Sequence, residues 1–151
     1  MGKLNILNKK EIKVILGLLD EQWGIREVLD FVFLMNDEDG IFVVSKDFSL
    51  IDEKMLRVNS LGLYFGELRN DELRLSIEGS QLLGRFANKG VIDVSDEQVK
   101  EYVAGNDLVY DSKDKGFFLL RNGSDFFGAA KLKNGRILNF FPKPRRVGVC
   151  Q

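Results

Sequence analysis

The sequence predicts an α+β fold, with a small α/β first half packed on a second half that is a small β-sandwich or β-barrel. Two patterns lead to this prediction: apolar residues at helical spacing near the N-terminus, and short β-rich runs between turn signals later in the chain. A chain of 151 residues fits one domain or two small ones that share an interface.

The first half is predicted to open with a helix and continue with a β-hairpin. Asn8 and Glu11 have the spacing of a capping box, and the helix should stop near Gly24. The apolar residues at helical spacing in between are Ile12, Ile15, Leu16 and Leu19. Two β-rich runs, residues 28–35 and 41–45, then flank the acidic stretch Asn36–Gly40. That stretch lacks the full ligand set of a calcium loop, so a solvated hairpin turn is predicted.

A further extended run covers residues 55–68, before the predicted boundary between the two halves. Residues 74–87 pass from a short strand into a helix, capped by Ser76 or beginning near Gly79. We place the boundary at the turn Asn70–Glu72, which gives domains of residues 1–72 and 73–151. No linker-like run marks this boundary, so the two halves are expected to pack together.

The second half is predicted to be mostly β, with one helix. After a strand at 91–94, Ser95 and Gln98 form a capping-box pattern, and Gly105 is a natural helix stop. Four β-rich runs follow at residues 108–110, 116–123, 124–135 and 135–141. Asn122-Gly123 and Asn134-Gly135 are signals for tight hairpins.

The basic residues are concentrated at the C-terminal end. Residues 126–151 contain no acid and carry a charge of +6, from Lys131, Lys133, Arg136, Lys143, Arg145 and Arg146. Pro142 and Pro144 should end regular strand pairing there, so that this segment runs extended and displays its cations. A basic end on an acidic body is typical of a polyanion site. The alternative is that these cations pair with the acidic N-terminal half and hold the domains together.

Composition excludes several kinds of chemistry. The chain has no histidine, which rules out a Ser–His–Asp triad and a His-ligated metal site. Its one cysteine, Cys150, cannot form an internal disulfide, which favours a reducing, cytoplasmic setting. No signal peptide or membrane span is expected. The glycine spacings match neither a phosphate loop nor a dinucleotide fingerprint, so we expect no cofactor, no metal and no catalysis.

Aromatic doublets occur in three of the predicted strands, at Phe117-Phe118, Phe126-Phe127 and Phe140-Phe141. Neighbouring residues of a strand point to opposite faces, so one ring of each doublet can enter the core. The other ring either packs under a neighbouring element or stacks on a nucleobase. Packing is the favoured interpretation, and Phe140 and Phe141 are the best candidates for stacking.

Three segments, LSIEGSQLLG, VSDEQVKEYVAGNDL and GFFLLRNGSDFFGAAKLKNGRILNFFPKPRR, resemble the PUA-like RNA-binding module of Nop/Sun-type RNA cytosine-C5 methyltransferases. The free-standing archaeal members are the most similar. SLGLYFGEL with RLSIEGSQLL also resembles the domain junction of two-domain assembly factors for the large ribosomal subunit. The resemblance covers residues 59–147 well and implies a pre-PUA α/β domain followed by a PUA-type mixed barrel.

The resemblance also implies RNA as the ligand and a groove as its site. One side of the implied groove is Lys100 with the Gly105-Asn106 loop, and the other holds Arg136, Lys143, Arg145 and Arg146. Lys131, Lys133 and Phe140 complete the predicted RNA-binding set. The chain departs from the methyltransferase fusions because it has no cofactor loop and no catalytic cysteine motif.

The leading hypothesis is a non-catalytic RNA-binding protein, an accessory factor in rRNA or tRNA modification or in ribosome biogenesis. Its partners would be rRNA or tRNA, together with proteins of RNA modification or ribosome assembly. The alternative is a protein-interaction module recruited to such a complex.

Overall fold

A computed structural model describes residues 4–27, 30–45 and 62–146 of the chain. These residues form an α+β fold with two five-stranded sheets. The helices are α1 (Lys9–Trp23), α2 (Ile77–Leu83) and α3 (Asp96–Val103). The strands of the first sheet are β1 (Asn5–Ile6), β2 (Phe31–Met35), β3 (Gly40–Ser45), β4 (Leu63–Arg69) and β5 (Glu72–Leu75). Those of the second are β6 (Val91–Asp93), β7 (Leu108–Val109), β8 (Gly116–Asn122), β9 (Asp125–Lys133) and β10 (Arg136–Ile137).

The first sheet is an antiparallel meander in the order β1-β2-β3-β4-β5. The predicted capping box of α1 is present, with Glu11 N–H donating to Asn8 Oδ1 at 2.9 Å. The helix ends at Gly24, whose φ of +66° suits glycine. The exposed turn after β2 is fixed by Asn36, whose Oδ1 accepts from the backbone N–H groups of Glu38 and Gly40. The predicted helix and hairpin are therefore confirmed.

The second sheet has the mixed topology that the resemblance implied for the barrel. Its strand order is β6-β8-β9-β10-β7, with β6 parallel to β8 and the other pairs antiparallel. Ser95 and Gln98 form both hydrogen bonds of their capping box, which confirms the predicted start of α3. Ser76 is the N-cap of α2, the first of the two starts considered for that helix. The predicted α+β fold class is confirmed, with an α/β region packed on a mixed barrel-like sheet.

Two hydrophobic cores lie within this fold. The first contains Trp23, Phe33 and Phe65 from the first sheet and its helix, and Phe117 and Phe126 from the second sheet. The Trp23 indole N–H donates to the Phe117 carbonyl oxygen at 3.2 Å. The second core draws on the second half alone and is centred on Tyr102, Leu120 and Leu132. The first sheet and the barrel are thus joined by shared apolar packing, as expected for halves without a linker.

The structure corrects the prediction for the C-terminal segment. Regular pairing ends at Ile137 rather than continuing to residue 141. Lys143–Arg145 forms a 3-10 turn rather than an extended run, with Arg145 N–H donating to the Pro142 carbonyl at 2.9 Å. Pro144 fits there because the first residues of a helical turn need no N–H partner.

Two hairpin loops differ in how well the sequence placed them. The β8–β9 loop is Gly123-Ser124, one residue later than Asn122-Gly123, because Asn122 pairs with Asp125. Asn134-Gly135 is the β9–β10 loop, as predicted.

The predicted extended run at 55–68 is confirmed only from Leu63, because residues 55–61 lie outside the described part of the chain. The predicted boundary after residue 72 falls inside β5, the last strand of the first sheet, and the division into domains stays a prediction. Within the described ranges, no helix is long and apolar enough to cross a membrane.

Candidate nucleic-acid interface

The predicted groove begins at α3 and the loop that follows it. The capping box fixes the start of the helix, and buried Tyr102 anchors its apolar face in the second core. Lys100 lies on the exposed side of the same helix. The chain then turns at Gly105, whose φ of +103° is disfavoured for residues with a Cβ.

Asn139 joins this loop to the C-terminal segment. Its Nδ2 donates to the carbonyl oxygens of Tyr102 at 2.7 Å and Asn106 at 2.8 Å. Its backbone N–H donates to the Asp107 carboxylate at 2.7 Å. Its Oδ1 accepts from Phe141 N–H and from the Arg146 guanidinium, each at 3.1 Å. One side chain therefore uses both of its donor hydrogens and both acceptor sites to fasten the two sides of the predicted groove.

Arg146 lies directly against the loop. Its guanidinium also donates to the Phe141 carbonyl at 3.3 Å, and a Cβ added at Gly105 would come within 2.9 Å of its Cδ. Gly105 is thus favoured by its φ, and a Cβ there would also push the Arg146 side chain away. The structure brings together Gly105, Asn106 and Arg146, which the resemblance had placed on opposite sides of one groove.

Two of the six C-terminal cations pair with acids, and one of them, Lys131, pairs with the predicted N-terminal half as the alternative interpretation expected. Lys131 lies 3.4 Å from Glu72, and Arg145 lies 2.7 Å from Glu78. Lys131 also sits over the ring of Phe117, 5.3 Å from its centroid. These contacts tie β9 and the C-terminal segment to β5 and α2, so part of the positive charge holds the fold together.

Of the five remaining predicted cations, Arg146 is half-buried in the Asn139 network and the other four are exposed. They are Lys100 on α3, Lys133 at the end of β9, Arg136 on β10 and Lys143 in the 3-10 turn. Among the residues that the structure describes, these four form no ion pair. These four, together with Arg146, are the members of the predicted set whose charge is not paired with a described acid and can meet phosphate.

The aromatic doublets of β8 and β9 divide between the two cores. Phe117 and Phe126 are buried in the first core, while Phe118 and Phe127 are half-buried against the second. This matches the alternation expected of a strand and the packing interpretation.

The third doublet lies after the last strand and also packs. Phe140 meets Phe117 edge-on at 5.5 Å, and Phe141 meets Tyr102 edge-on at 6.0 Å. Phe140 is half-buried and lies on the wall of a surface cavity. Its role in RNA binding stays a prediction.

Tyr102 supports the interface from inside the second core. Its hydroxyl accepts the Phe140 backbone N–H at 3.1 Å, and burial raises the pKa of the phenol to about 12. The sequence analysis placed neither Tyr102 nor Asn139 in the candidate site. The Asn at the start of the NFFPKPRR segment was the available signal, because asparagine is favoured where backbone groups lack ladder partners.

No group of three or more residues capable of holding a metal ion occurs within residues 4–27, 30–45 and 62–146. The interface is built instead from amide groups, backbone carbonyls and cations, which are the groups that proteins use to contact phosphate, sugar and base edges.

Comparisons with known proteins agree with this architecture. Residues 89–147 match the family model described as the methyltransferase RsmF PUA domain. The chain is 27% identical over 144 residues to a ribosomal RNA small subunit methyltransferase F from Shewanella sp. strain MR-7. It is 26% identical over 143 residues to the protein of that name from strain MR-4. Each match covers 89% of this chain, which spans only 29% of the length of these relatives. The segment 89–147 is accordingly similar to the PUA domain of RsmF-type methyltransferases, which confirms the resemblance to the RNA-binding module of Nop/Sun-type enzymes.

Proposed function

We propose that the chain binds RNA without catalysing a reaction, as an accessory module in the modification of rRNA or tRNA or in ribosome biogenesis. The observation that carries the proposal is the Asn139 network, which holds the α3 loop and the C-terminal segment together within a region that matches a PUA domain. Exposed Lys100 and Lys143 lie on the two elements that this network joins, so a polyanion can meet positive charge from both.

Ribosomal RNA is the first ligand to test, because both relatives are named as methyltransferases of small-subunit rRNA. The proposal includes the absence of catalysis by this chain. It is supported by a sequence that has no histidine and a single cysteine, Cys150. We also propose that the chain binds RNA in the cytoplasm. The purified chain should transfer no labelled methyl group from S-adenosylmethionine to rRNA or tRNA.

The test compares RNA binding by two charge-matched triple variants at 50 and 200 mM salt. One variant changes three exposed cations of the interface, Lys100→Gln, Arg136→Gln and Lys143→Gln. The control changes three exposed lysines of α1, Lys9→Gln, Lys10→Gln and Lys13→Gln. Both variants lose three positive charges, and neither change touches the Asn139 network.

We expect the interface variant to bind rRNA or tRNA more weakly and the control to bind as the wild type does. The plot of log affinity against log salt has a negative slope. Losing three phosphate contacts should make that slope less steep by about 2 to 3 in the interface variant. Equal binding by both variants, or a wild-type slope near zero, would overturn the proposal. In that case partners that survive ribonuclease treatment would favour a protein-interaction module instead.

A further inference from the structure

A cavity of about 610 Å³ opens between the first sheet and the barrel. Strands β4 and β5 and the start of α2 form one wall, and β9 with the C-terminal segment forms the other. The side chains that carry its chemistry are Tyr64, Arg74, Glu78, Phe127, Phe140 and Arg145. Sequence analysis did not find this cavity, because its walls come from separate parts of the chain.

Three half-buried aromatic residues, Tyr64, Phe127 and Phe140, contribute to the walls. Desolvation by burial raises the pKa of the Tyr64 phenol, so this group is a neutral hydrogen-bonding partner at physiological pH. Aromatic walls with a few polar groups at fixed positions are typical of pockets that take a flat ligand.

Arg74 supplies a fixed set of hydrogen-bond donors in the cavity. Its side chain is only 16% exposed, its Nε donates to Glu67 at 2.9 Å, and its guanidinium lies 5.4 Å from the centroid of the Phe140 ring. A second charged pair, Arg145 with Glu78, also lines the cavity but is more exposed, with side chains 49% and 35% accessible. Arg74 Nη2 also donates to the Glu67 carboxylate, so the cavity holds a rigid inner ion pair and a more exposed outer pair.

The C-terminal segment is shared by the cavity and the candidate interface. Asn139 and Arg146 contact the α3 loop, whereas Phe140, Pro142 and Arg145 line the cavity. An RNA strand bound along this segment would therefore pass the mouth of the cavity.

We propose that this cavity binds a single unstacked nucleobase of the RNA, with the base against the aromatic walls and its polar edge toward Arg74 and Glu78. The inference rests on the proposed RNA-binding function and adds a base-recognition site to it. Single-stranded RNA is commonly read in this way, by aromatic stacking and hydrogen bonds to the edge of a splayed base. The cavity volume lies within the range of about 300–1,000 Å³ found for small-ligand pockets.

The direct test is a titration of the isotopically labelled full chain, followed by NMR of its backbone amides. The probes are the four ribonucleoside 5′-monophosphates and, as a phosphate without a base, ribose 5-phosphate. We expect at least one nucleotide to give saturable shifts at Gly128 and Ala129, which line the cavity, and ribose 5-phosphate to give none. Equal shifts with ribose 5-phosphate, or none with any nucleotide, would overturn the proposal.

Two matched variants separate the cavity from the fold. Phe127→Leu removes an aromatic wall, whereas Phe118→Leu changes a half-buried ring that packs on the same core but does not line the cavity. Loss of base stacking should weaken nucleotide binding by about fivefold or more in Phe127→Leu, with Phe118→Leu unchanged. Equal weakening in both would count against the site. If the wild type binds tRNA or rRNA but no nucleotide, the proposed base site is wrong and the proposed RNA-binding function stands. If it binds neither RNA nor nucleotides, both proposals are wrong.

Discussion

The two hydrophobic cores differ in where their residues come from. The first core combines α1 and the first sheet with Phe117, Leu119, Phe126 and Ala129 of the barrel. The second uses only residues of the second half, from Ile92 to Ile137. The first core is therefore the one that couples the two halves, while the second supports the surface on which α3 and the C-terminal segment meet.

The side-chain hydrogen bonds next to the two cores also differ, because a pair near the first core joins α1 to the first sheet and the Asn139 network near the second joins the α3 loop to the C-terminal segment. Near the first core, Gln22 hydrogen-bonds through its side-chain amide to the backbone N–H and carbonyl of Leu73, each at 2.8 Å. This amide occupies the free edge of β5, where a further strand would otherwise pair. Beside the second core, the Asn139 network is more exposed and joins two loops. Changes at the first core should thus alter the folding of both halves, and changes to the Asn139 network should alter RNA binding.

The largest expected effect is at Trp23, which is fully buried in the first core. Trp23→Ala should lower the free energy of unfolding by about 3–5 kcal/mol, because it leaves a large cavity and an unpaired Phe117 carbonyl. That is a substantial share of the roughly 5–15 kcal/mol that stabilises a typical domain. Urea unfolding followed by far-ultraviolet circular dichroism measures the loss.

Trp23→Phe is the matched control, since it keeps an aromatic ring but removes the indole N–H. Trp23→Phe should lower the free energy of unfolding by about 1–2 kcal/mol, and the urea unfolding curve should still show a single transition. If Trp23→Ala unfolds the N-terminal half while the barrel amides stay protected from hydrogen exchange, the two halves are independent folding units. The comparison of the cores would then be wrong, and the predicted domain division would be supported.

An intermediate effect is expected at Asn139. Asn139→Ala removes four side-chain hydrogen bonds at a half-exposed position and should cost about 2 kcal/mol of stability. The substitution also removes a hydrogen bond that orients Arg146, so we expect the loss of one phosphate contact. The dependence of log affinity on log salt should then become less steep by about 0.7–0.9. Chemical denaturation and RNA binding at several salt concentrations give the two numbers.

Asn122→Ala provides the control for Asn139. The Asn122 side chain donates to the Val94 carbonyl and the Asp96 carboxylate at the start of α3, away from the C-terminal segment. It should lose stability without a change in the salt slope. A fall in slope of the same size in both variants would show that the effect comes from loosening α3 rather than from the network.

The elements that the sequence predicted well are those fixed by local interactions. The two capping boxes, at Asn8 and Ser95, each need only a side chain and a backbone group three residues away. The hairpins were found for the same reason, since alternating residues and a turn signal lie within one short stretch. The exception was the loop at Gly123-Ser124, where pairing of Asn122 with Asp125 moved the turn by one residue.

The features that the sequence analysis missed depend on residues far apart in the chain. Asn139 bonds to residues more than thirty positions away, and the cavity joins Tyr64 to Phe140. The basic stretch was identified by its charge, but charge did not show that Lys131 and Arg145 would meet Glu72 and Glu78. Composition can therefore locate a candidate surface, while its division into structural and exposed cations follows only from tertiary contacts.

The smallest expected effect is at Tyr102, where the second core meets the interface. Tyr102→Phe keeps the ring and removes the acceptor of the Phe140 N–H, so at neutral pH it should cost about 1 kcal/mol. Burial holds the pKa of Tyr102 at about 12 in the folded chain, above the value of about 10 for an exposed tyrosine. A raised pKa means that the unfolded chain loses this proton first. The stabilisation is therefore complete below pH 10 and is lost as the pH rises from 10 to 12.

Urea unfolding between pH 9 and pH 12 should accordingly show a smaller loss of stability in Tyr102→Phe than in the wild type. In a pH titration followed by absorbance at 295 nm, the variant should lack the tyrosine ionisation that occurs at the highest pH in the wild type. A Tyr102→Phe variant with the alkaline profile of the wild type would mean that this phenol is not held neutral by the second core. Affinity for RNA should change little, because the segment keeps Asn139 and Arg146. A large loss of RNA binding would instead show that the groove depends on the core beneath it as much as on its own network.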